Sequence, residues 1–128
     1  NTYGRLYNWY TVNTNKLCPI GWHVPSDAEW TTLSTYLGNM AGGRIKESGT
    51  IHWKTDTDAI NDSKFTALPG GCRQYNGSFM YFGFEGHWWS ATEYSTMALS
   101  RNQSSGTSNL LKPPSEKTSA YSIRCLKD

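Results

Sequence analysis

The chain has 128 residues, a length that suits one domain around a single core. Its formal net charge is +2, with charges of both signs scattered along the sequence, which argues against a nucleic-acid-binding protein. No apolar run approaches the roughly 20 residues that a membrane-spanning helix needs. Aromatic residues make up 14% of the chain and glycine occurs twelve times, which together indicate a loop-rich fold built on a few bulky rings.

The chain begins with a short aromatic segment and an extended stretch. Tyr3, Tyr7 and Trp9 fall close together near the start, where we expect an extended or single-turn segment that covers the core. A polar turn then leads into residues 17–25, which we interpret as extended. Pro25 ends this stretch because proline disfavours helix in the residue before it.

The clearest local signal is a helix over residues 27–37. Ser26 and Glu29 have the spacing of a capping box, in which each side chain accepts a hydrogen bond from the other residue's backbone amide. Apolar residues then recur at helical spacing, and Gly38 ends the helix. A second, shorter helix is expected over residues 40–47, although its pair of glycines weakens the pattern.

A tight β-hairpin is predicted at Asn76 and Gly77. Asn-Gly supplies the positive φ angles of a type I′ turn, so the flanking residues are expected to pair. Residues 65–73 are interpreted as the entering strand, with a glycine turn within it. Residues 80–84 are interpreted as the returning arm of the hairpin.

Trp88 and Trp89 mark the strand around which the rest of the chain is predicted to pack. Side chains alternate between the two faces of a strand, so one tryptophan is expected in the core beside the 27–37 helix. The other is expected at the base of a long polar excursion over residues 95–119, which is rich in Ser, Thr and Asn. Residues 121–126 alternate again and are interpreted as the closing strand.

The three cysteines, Cys18, Cys72 and Cys125, match neither a zinc site nor a CxxC redox motif. Cys18 lies just before the first predicted helix and Cys125 in the closing strand, so a disulfide between them would tie the two ends of the domain together. We favour this bridge, with Cys72 free, over the alternative that all three are small buried residues.

Six blocks along the chain, taken in order, resemble one protein family. They read GRLYNWY at residues 4–10, CPIGWHVPSDAEW at 18–30, AGGRIKESGTIHW at 41–53, FTALPGGCR at 65–73, WWSATE at 88–93 and RCLKD at 124–128. Together they resemble the Fibrobacter succinogenes major paralogous domain. The resemblance implies an α+β, C-type-lectin-like fold, akin in architecture to the formylglycine-generating-enzyme domain, in a bacterial extracellular or cell-surface module.

The resemblance carries three further expectations. Family members commonly have more strands upstream of the residue 4–10 block, so the single domain at residues 1–128 is expected to lack part of that edge. Cys72 stands where the family usually has an aromatic residue, which supports a free thiol. Over residues 98–120 small and varied residues replace the family's Tyr and Asn. This looks like the segment that retroelements of bacteria and phages diversify in lectin-fold proteins.

Catalytic residues are weakly indicated. His23, His52 and His87 each neighbour a tryptophan, and no two have the helical spacing of zinc ligands, so we interpret them as structural. The hydroxyl residues after Trp89 have no His or Asp that the sequence places beside them as a base. The oxidase relatives of this architecture need two reactive cysteines close together, and only Cys72 lies outside the predicted bridge. We therefore expect no enzyme.

One oxygen-rich cluster, at Asp56, Asp58, Asn61 and Asp62, has the chemistry that calcium prefers. Its spacing fits no EF-hand, and Asp and Asn are ordinary turn formers. The Glu-Pro-Asn and Trp-Asn-Asp motifs of calcium-dependent sugar-binding lectins are also missing from the sequence. We expect no cofactor, with calcium as the weaker alternative.

The sequence therefore predicts a non-catalytic recognition module, secreted or displayed at the cell surface, that binds a protein or glycan through residues 94–120. Aromatic residues over 75–89 would add rigid contact area wherever they are exposed, although most of them could be core. The alternative is a structural domain of a surface fibre, pilus or phage tail. No nucleic-acid partner or membrane insertion is expected, and the oligomeric state stays open. The expected ligand contacts are Tyr94, Leu99, Ser100, Arg101, Asn102, Gln103, Ser105, Thr107 and Leu111.

Overall fold

The computed structural model describes residues 2–55 and 58–128, and these form the predicted mixture of helices and short antiparallel sheets. The helices are α1 (Trp9–Val12), α2 (Asp27–Leu37) and α3 (Ala41–Ile45), with a 3₁₀ turn at Gly38–Met40. The strands are β1 (Tyr7–Asn8), β2 (Trp22–His23), β3 (Cys72–Arg73), β4 (Phe79–Met80), β5 (Glu85–Tyr94), β6 (Met97–Ser104), β7 (Pro114–Ser115), β8 (Ala120–Tyr121) and β9 (Leu126–Lys127). None of the helices in this part of the chain is both long and apolar enough to cross a membrane.

The capping-box helix is confirmed. The amide of Ser26 donates to Glu29 at 2.8 Å, and the Ser26 hydroxyl accepts from the Glu29 amide at 3.3 Å. Gly38 ends α2 with a φ of +73°, a conformation that glycine adopts without steric penalty. The second helix is also present, but it is shorter than predicted because Lys46 turns to extended backbone directly after the buried Ile45.

Three small sheets bring distant parts of the chain together. Their strand orders are β5-β6-β7, β1-β8-β3-β4 and β2-β9. Tyr7 near the start lies opposite Tyr121 near the end, and Trp22 lies opposite Lys127. The predicted disulfide is confirmed beside this closure, since Cys18 and Cys125 are bonded with their Cα atoms 5.8 Å apart. Cys72 is free, as predicted, and it is buried.

Strand β5 separates two hydrophobic clusters, one on each of its faces. Trp88 packs in one cluster with Trp30 of α2, their ring centroids 6.5 Å apart. Trp89 is fully buried in the other cluster, where it stacks on Tyr121 at 4.3 Å and donates its indole N–H to the carbonyl oxygen of Tyr7 at 2.8 Å. The alternation is therefore as predicted, but the second tryptophan packs against the chain ends and not beneath a polar loop.

The prediction of a polar excursion over residues 95–119 is wrong for its first half. The chain turns at Ser95, whose φ is +55°, and returns at once as β6, the central strand of its sheet. Hydroxyl side chains fit this strand because they find partners there. The Ser90 hydroxyl donates to the carbonyl of Leu99 at 2.9 Å, and the hydroxyls of Ser100 and Ser115 lie 3.0 Å apart.

The hairpin forms at the predicted place, but its turn is not type I′. A type I′ turn needs a positive φ at both Asn76 and Gly77, and of these two residues only Gly77 has one, of +94°. The amide of Gly77 donates to the carbonyl of Gln74, and the amide of Gln74 donates to Ser78, which is the pattern of a three-residue loop closed by a left-handed glycine. The predicted arms at 65–73 and 80–84 shrink to the two-residue strands β3 and β4, and β4 stops before Tyr81, whose φ is +63°.

Candidate functional site

The predicted ligand contacts divide into buried and accessible residues. Ser100, Arg101, Gln103 and Ser105 are at most 6% exposed, so the fold leaves little of these four residues accessible to a ligand. Ser100, Arg101 and Gln103 are buried because β6 is the inner strand of its sheet, and Ser105 directly follows that strand. The accessible members are Tyr94 and Leu111, which are exposed, and Leu99, Asn102 and Thr107, which are partly exposed.

Arg101 fixes the start of α2 to the sheet. Its guanidinium donates to the carboxylate of Asp27 at 2.6 Å and to the hydroxyl of Thr31 at 3.1 Å. Lys112 reaches the second carboxylate oxygen of Asp27 at 3.2 Å. Burial alone would raise the pKa of Asp27, but the hydrogen bonds from Arg101 and Lys112 outweigh it and lower that pKa. The basic residue predicted to meet a ligand is therefore part of the scaffold.

The turn after β6 is held against α3 by polar contacts. The side-chain amide of Gln103 donates to the carbonyl of Thr107, and the ammonium of Lys46 donates to the same carbonyl at 3.3 Å. The backbone amide of Gly42 donates to the carbonyl of Ser108 at 2.7 Å. This half of the predicted recognition segment is consequently fixed by the fold.

A different part of the chain carries the exposed rings. Five aromatic side chains in and just after the β3–β4 hairpin are between 42% and 75% exposed, and we call them the aromatic surface. The sequence places these rings close together but cannot show which of them are core. The feature of the sequence that could have indicated this surface is the Asn-Gly turn with aromatic residues on both sides. The aromatic surface consists of Tyr75, Phe79, Tyr81, Phe82 and Phe84.

A series of ring contacts anchors Tyr81 of the aromatic surface in the core. Tyr81 stacks on the buried His87 with their centroids 6.1 Å apart. His87 lies 5.1 Å from Tyr121, which in turn stacks on Trp89. The imidazole Nε2 of His87 is 2.9 Å from the carboxylate of Glu85, which fixes the ring plane. The Tyr81 ring is therefore exposed, but its contact with His87 restricts its orientation.

Phe82 and Phe84 also have neighbours that limit the freedom of their rings. Phe82 meets Tyr3 edge-on at 4.9 Å, and Tyr3 meets His52 in the same way at 5.4 Å. The ammonium of Lys54 lies 5.4 Å from the centroid of the Phe84 ring, within the range of a cation–π contact. Rings held in this way lose little conformational entropy when they bind a partner.

Each of the three histidines has a carboxylate partner. His23 lies between Asp128 at 2.6 Å and Glu29 at 2.9 Å. The hydrogen bond to Asp128, followed by the one to Glu29, raises the pKa of His23 above its usual value. Across residues 2–55 and 58–128, no three His, Cys, Asp or Glu side chains are grouped so that they could hold a metal ion.

The predicted calcium cluster is only partly described, because Asp56 lies outside the described residues. Asp62 is paired with the guanidinium of Arg44 at 2.9 Å, which lowers the pKa of this carboxylate. The side-chain oxygen of Asn61 accepts from the amide of Thr66 at 2.9 Å. These two oxygen-bearing side chains therefore act in turn formation and ion pairing.

The candidate nucleophiles are also engaged or inert. Burial raises the pKa of Cys72 to about 11, so its thiolate is scarce at neutral pH. The Ser90 hydroxyl donates to a backbone carbonyl, and the Thr92 hydroxyl accepts from the Asp27 amide at 2.9 Å. Each hydroxyl thus holds secondary structure in place.

Comparison with known proteins gives one result. Neither the curated proteins nor the solved structures include a match to this chain. The sequence model of the Fibrobacter succinogenes major domain matches residues 1–127, which is all but the last residue. This agrees with the six sequence blocks that run in order from residue 4 to residue 128. The chain therefore belongs to the Fibrobacter succinogenes major domain family.

Proposed function

We propose that the chain is a non-catalytic recognition domain that binds a protein partner through the aromatic surface. The observation that carries this proposal is the exposure of five aromatic rings within ten residues. Three of them, Tyr81, Phe82 and Phe84, are held by contacts to neighbouring side chains. With ring areas of 150–250 Å² each, the five rings expose on the order of 500 Å². This is about the area of the largest apolar patch on a typical single domain, and that patch is often functional.

The composition around the rings favours a protein over a glycan. Three of the five rings are phenylalanines, which have no polar group to hydrogen-bond a sugar. Met80 at the sheet edge is 41% exposed, and Arg73 lies opposite Phe79 in the hairpin register. Aromatic residues, Met and Arg are the residue types enriched in protein–protein interfaces.

The location and the finer fold are part of the same proposal. A disulfide between Cys18 and Cys125 supports an oxidising location, and we propose a secreted or cell-surface domain. The pairing of β1 with β8 and of β2 with β9, which joins the two ends of the chain, supports a C-type-lectin-like arrangement.

The proposed site differs from the segment that the sequence favoured. Strand β5 has ten residues and is therefore about 30 Å long. Tyr94 lies at its far end, whereas Phe84 directly precedes its start, so one compact ligand does not reach both. Retroelement diversification of residues 98–120 stays a prediction. Variation there would have to spare the buried Arg101 and Gln103.

The proposal is tested on arrays of extracellular proteins and of glycans. The test variant combines Phe79→Ser, Phe82→Ser and Phe84→Ser, and an unchanged melting temperature shows that it is folded. The control variant removes three side chains that are at least as exposed elsewhere, Ile20→Ser, Tyr36→Ser and Ile51→Ser. We expect protein binding by the wild type that the control keeps and the test variant loses.

Other outcomes would replace the proposal. Binding to glycans alone, or protein binding that survives the loss of the three phenylalanines, would contradict it. Sedimentation velocity tests the alternative that the chain is a structural domain of a fibre, pilus or phage tail. Concentration-dependent self-assembly without any partner, abolished in the test variant, would favour that alternative.

A further inference from the structure

A pocket of about 250 Å³ lies away from the aromatic surface, between α2 and residues 124–126 near the end of the chain. None of its lining residues belongs to the aromatic surface. Its lining is mainly apolar and includes Trp30 and Leu33 from α2 and Phe65. Pro25, Glu29 and Arg124 also line the pocket, and the last two carry charged groups.

Arg124 brings a positive charge to this apolar pocket. Its guanidinium carbon lies 4.3 Å from the centroid of the Phe65 ring, and one of its N–H groups donates to the carbonyl oxygen of Phe65. In the described ranges 2–55 and 58–128, no carboxylate oxygen lies within ion-pair distance of this side chain. Desolvation lowers the pKa of Arg124, as expected for a cation placed against apolar groups.

Glu29, which also lines the pocket, forms no ion pair with Arg124. One carboxylate oxygen of Glu29 accepts from the backbone amide of Ser26 at 2.8 Å, and the other lies 2.9 Å from His23. The hydrogen bond from the Ser26 amide is the main reason that the pKa of Glu29 is lowered. The negative charge is thus committed to the helix cap and to His23, and the guanidinium retains N–H donors for a ligand.

We propose that this pocket binds a small carboxylate that carries one ring or one branched aliphatic group. The apolar group would lie against Trp30 and Leu33, and the carboxylate would accept from Arg124. A planar guanidinium can donate two parallel hydrogen bonds to a carboxylate, which makes the pairing specific. A volume below the 300–1,000 Å³ of typical small-molecule sites limits the ligand to one such group.

The test titrates the ¹⁵N-labelled domain with phenylacetate and with phenylacetamide, its uncharged isostere, and follows the amide and indole resonances by NMR. We expect phenylacetate to shift the signals of Trp30, Leu33 and Arg124 with a Kd of about 1 mM, as suits a ligand of this size. Phenylacetamide should bind at least about tenfold more weakly because it lacks the charge.

Two variants and a matched control complete the design. Arg124→Gln should weaken phenylacetate binding at least about tenfold, whereas Lys127→Gln, which removes a charge from the exposed neighbouring strand, should leave it unchanged. Leu33→Trp should fill the pocket and abolish the shifts. The comparison of phenylacetate with phenylacetamide needs only the wild-type protein, so it tests the proposal even if a variant misfolds. Equal binding of both, shifts centred elsewhere, or no saturable shift up to about 20 mM would overturn the proposal.

Discussion

Arg101 has a structural role because its charge is buried beside Asp27 and not exposed to a ligand. It is 2% exposed and pairs with Asp27, whereas Lys112 pairs with the same carboxylate from an exposed position. Removing one partner of a buried ion pair leaves the other uncompensated, so we expect Arg101→Ala to lower the free energy of unfolding by about 3 kcal/mol. Lys112→Ala should lower it by less than about 1 kcal/mol. Urea denaturation checks both, and equal losses would contradict the assigned roles.

His23 gives the fold a pH dependence whose sign is fixed by its raised pKa. A group with a folded-state pKa above its unfolded value contributes stability that is complete below the unfolded pKa, about 6.5, and is lost as the pH rises through the folded value. The difference in unfolding free energy between wild type and His23→Gln should therefore be larger at about pH 5.5 than at about pH 8.5. A difference that is constant or grows with pH would contradict this account.

The residue types alone predicted some of these roles and missed others. Ser26 and Glu29 were predictable because a capping box involves only residues three apart. Arg101 was not, because its partner Asp27 is 74 positions away in the sequence. A charged residue within a polar run has the appearance of a surface residue until the fold supplies its partner.

At the scale of elements, α3 and the turn after β6 depend on a close approach at Gly42. A Cβ atom there would fall against the side-chain amide of Gln103 and 2.7 Å from the carbonyl oxygen of Ser108. We expect Gly42→Ala to lower the free energy of unfolding by about 3 kcal/mol, because neither neighbour can move without losing its hydrogen bonds. Gly106→Ala is the control, since a Cβ there meets nothing within 4 Å, and should change stability by no more than about 0.5 kcal/mol.

Chemical denaturation of the two glycine variants gives the comparison. A similar stability for both would mean that α3 and the turn after β6 do not pack as closely as described.

The elements that local signals define were predicted, and those that depend on distant partners were not. Helix α2 carries its own cap, periodicity and stop, and all three were visible in the sequence. Strand β6 has few large apolar residues and was mistaken for a loop. Its stability comes from pairing with β5 and β7 and from the buried ion pair of Arg101 with Asp27 of α2, which no local pattern shows.

At the scale of the whole molecule, the disulfide joins residues 107 positions apart. Cross-linking a loop of that length restricts the unfolded chain, so replacing Cys18 and Cys125 by Ser should lower the free energy of unfolding by about 5 kcal/mol. Cys72→Ala removes a buried sulfur without opening a loop and should lower it by only about 1 kcal/mol. Thermal and urea unfolding of both variants checks this, and equal losses would mean that the bridge does not hold the chain ends together.

The sequence resemblance found the family and the mixed α+β fold, whereas the assignment of recognition to residues 94–120 stays a prediction. Composition pointed to residues 94–120 because polar, small residues are typical of binding loops. The structure instead buries four of the nine predicted contacts and exposes the rings from Tyr75 to Phe84. Whether an aromatic residue is core or surface depends on hairpin register and neighbouring sheets, which the sequence does not specify.

The aromatic surface is the central claim, and one comparison of dissociation constants tests it most directly. The protein that binds the wild type most strongly on the array is titrated against three forms of the domain. These are the wild type, the Phe79→Ser, Phe82→Ser, Phe84→Ser variant, and a variant that combines Tyr94→Ala with Leu111→Ala. We expect the first variant to raise the Kd at least about 100-fold, as loss of several central aromatic contacts does, and the second to change it less than about threefold. The reverse order would contradict the claim and return the binding site to residues 94–120.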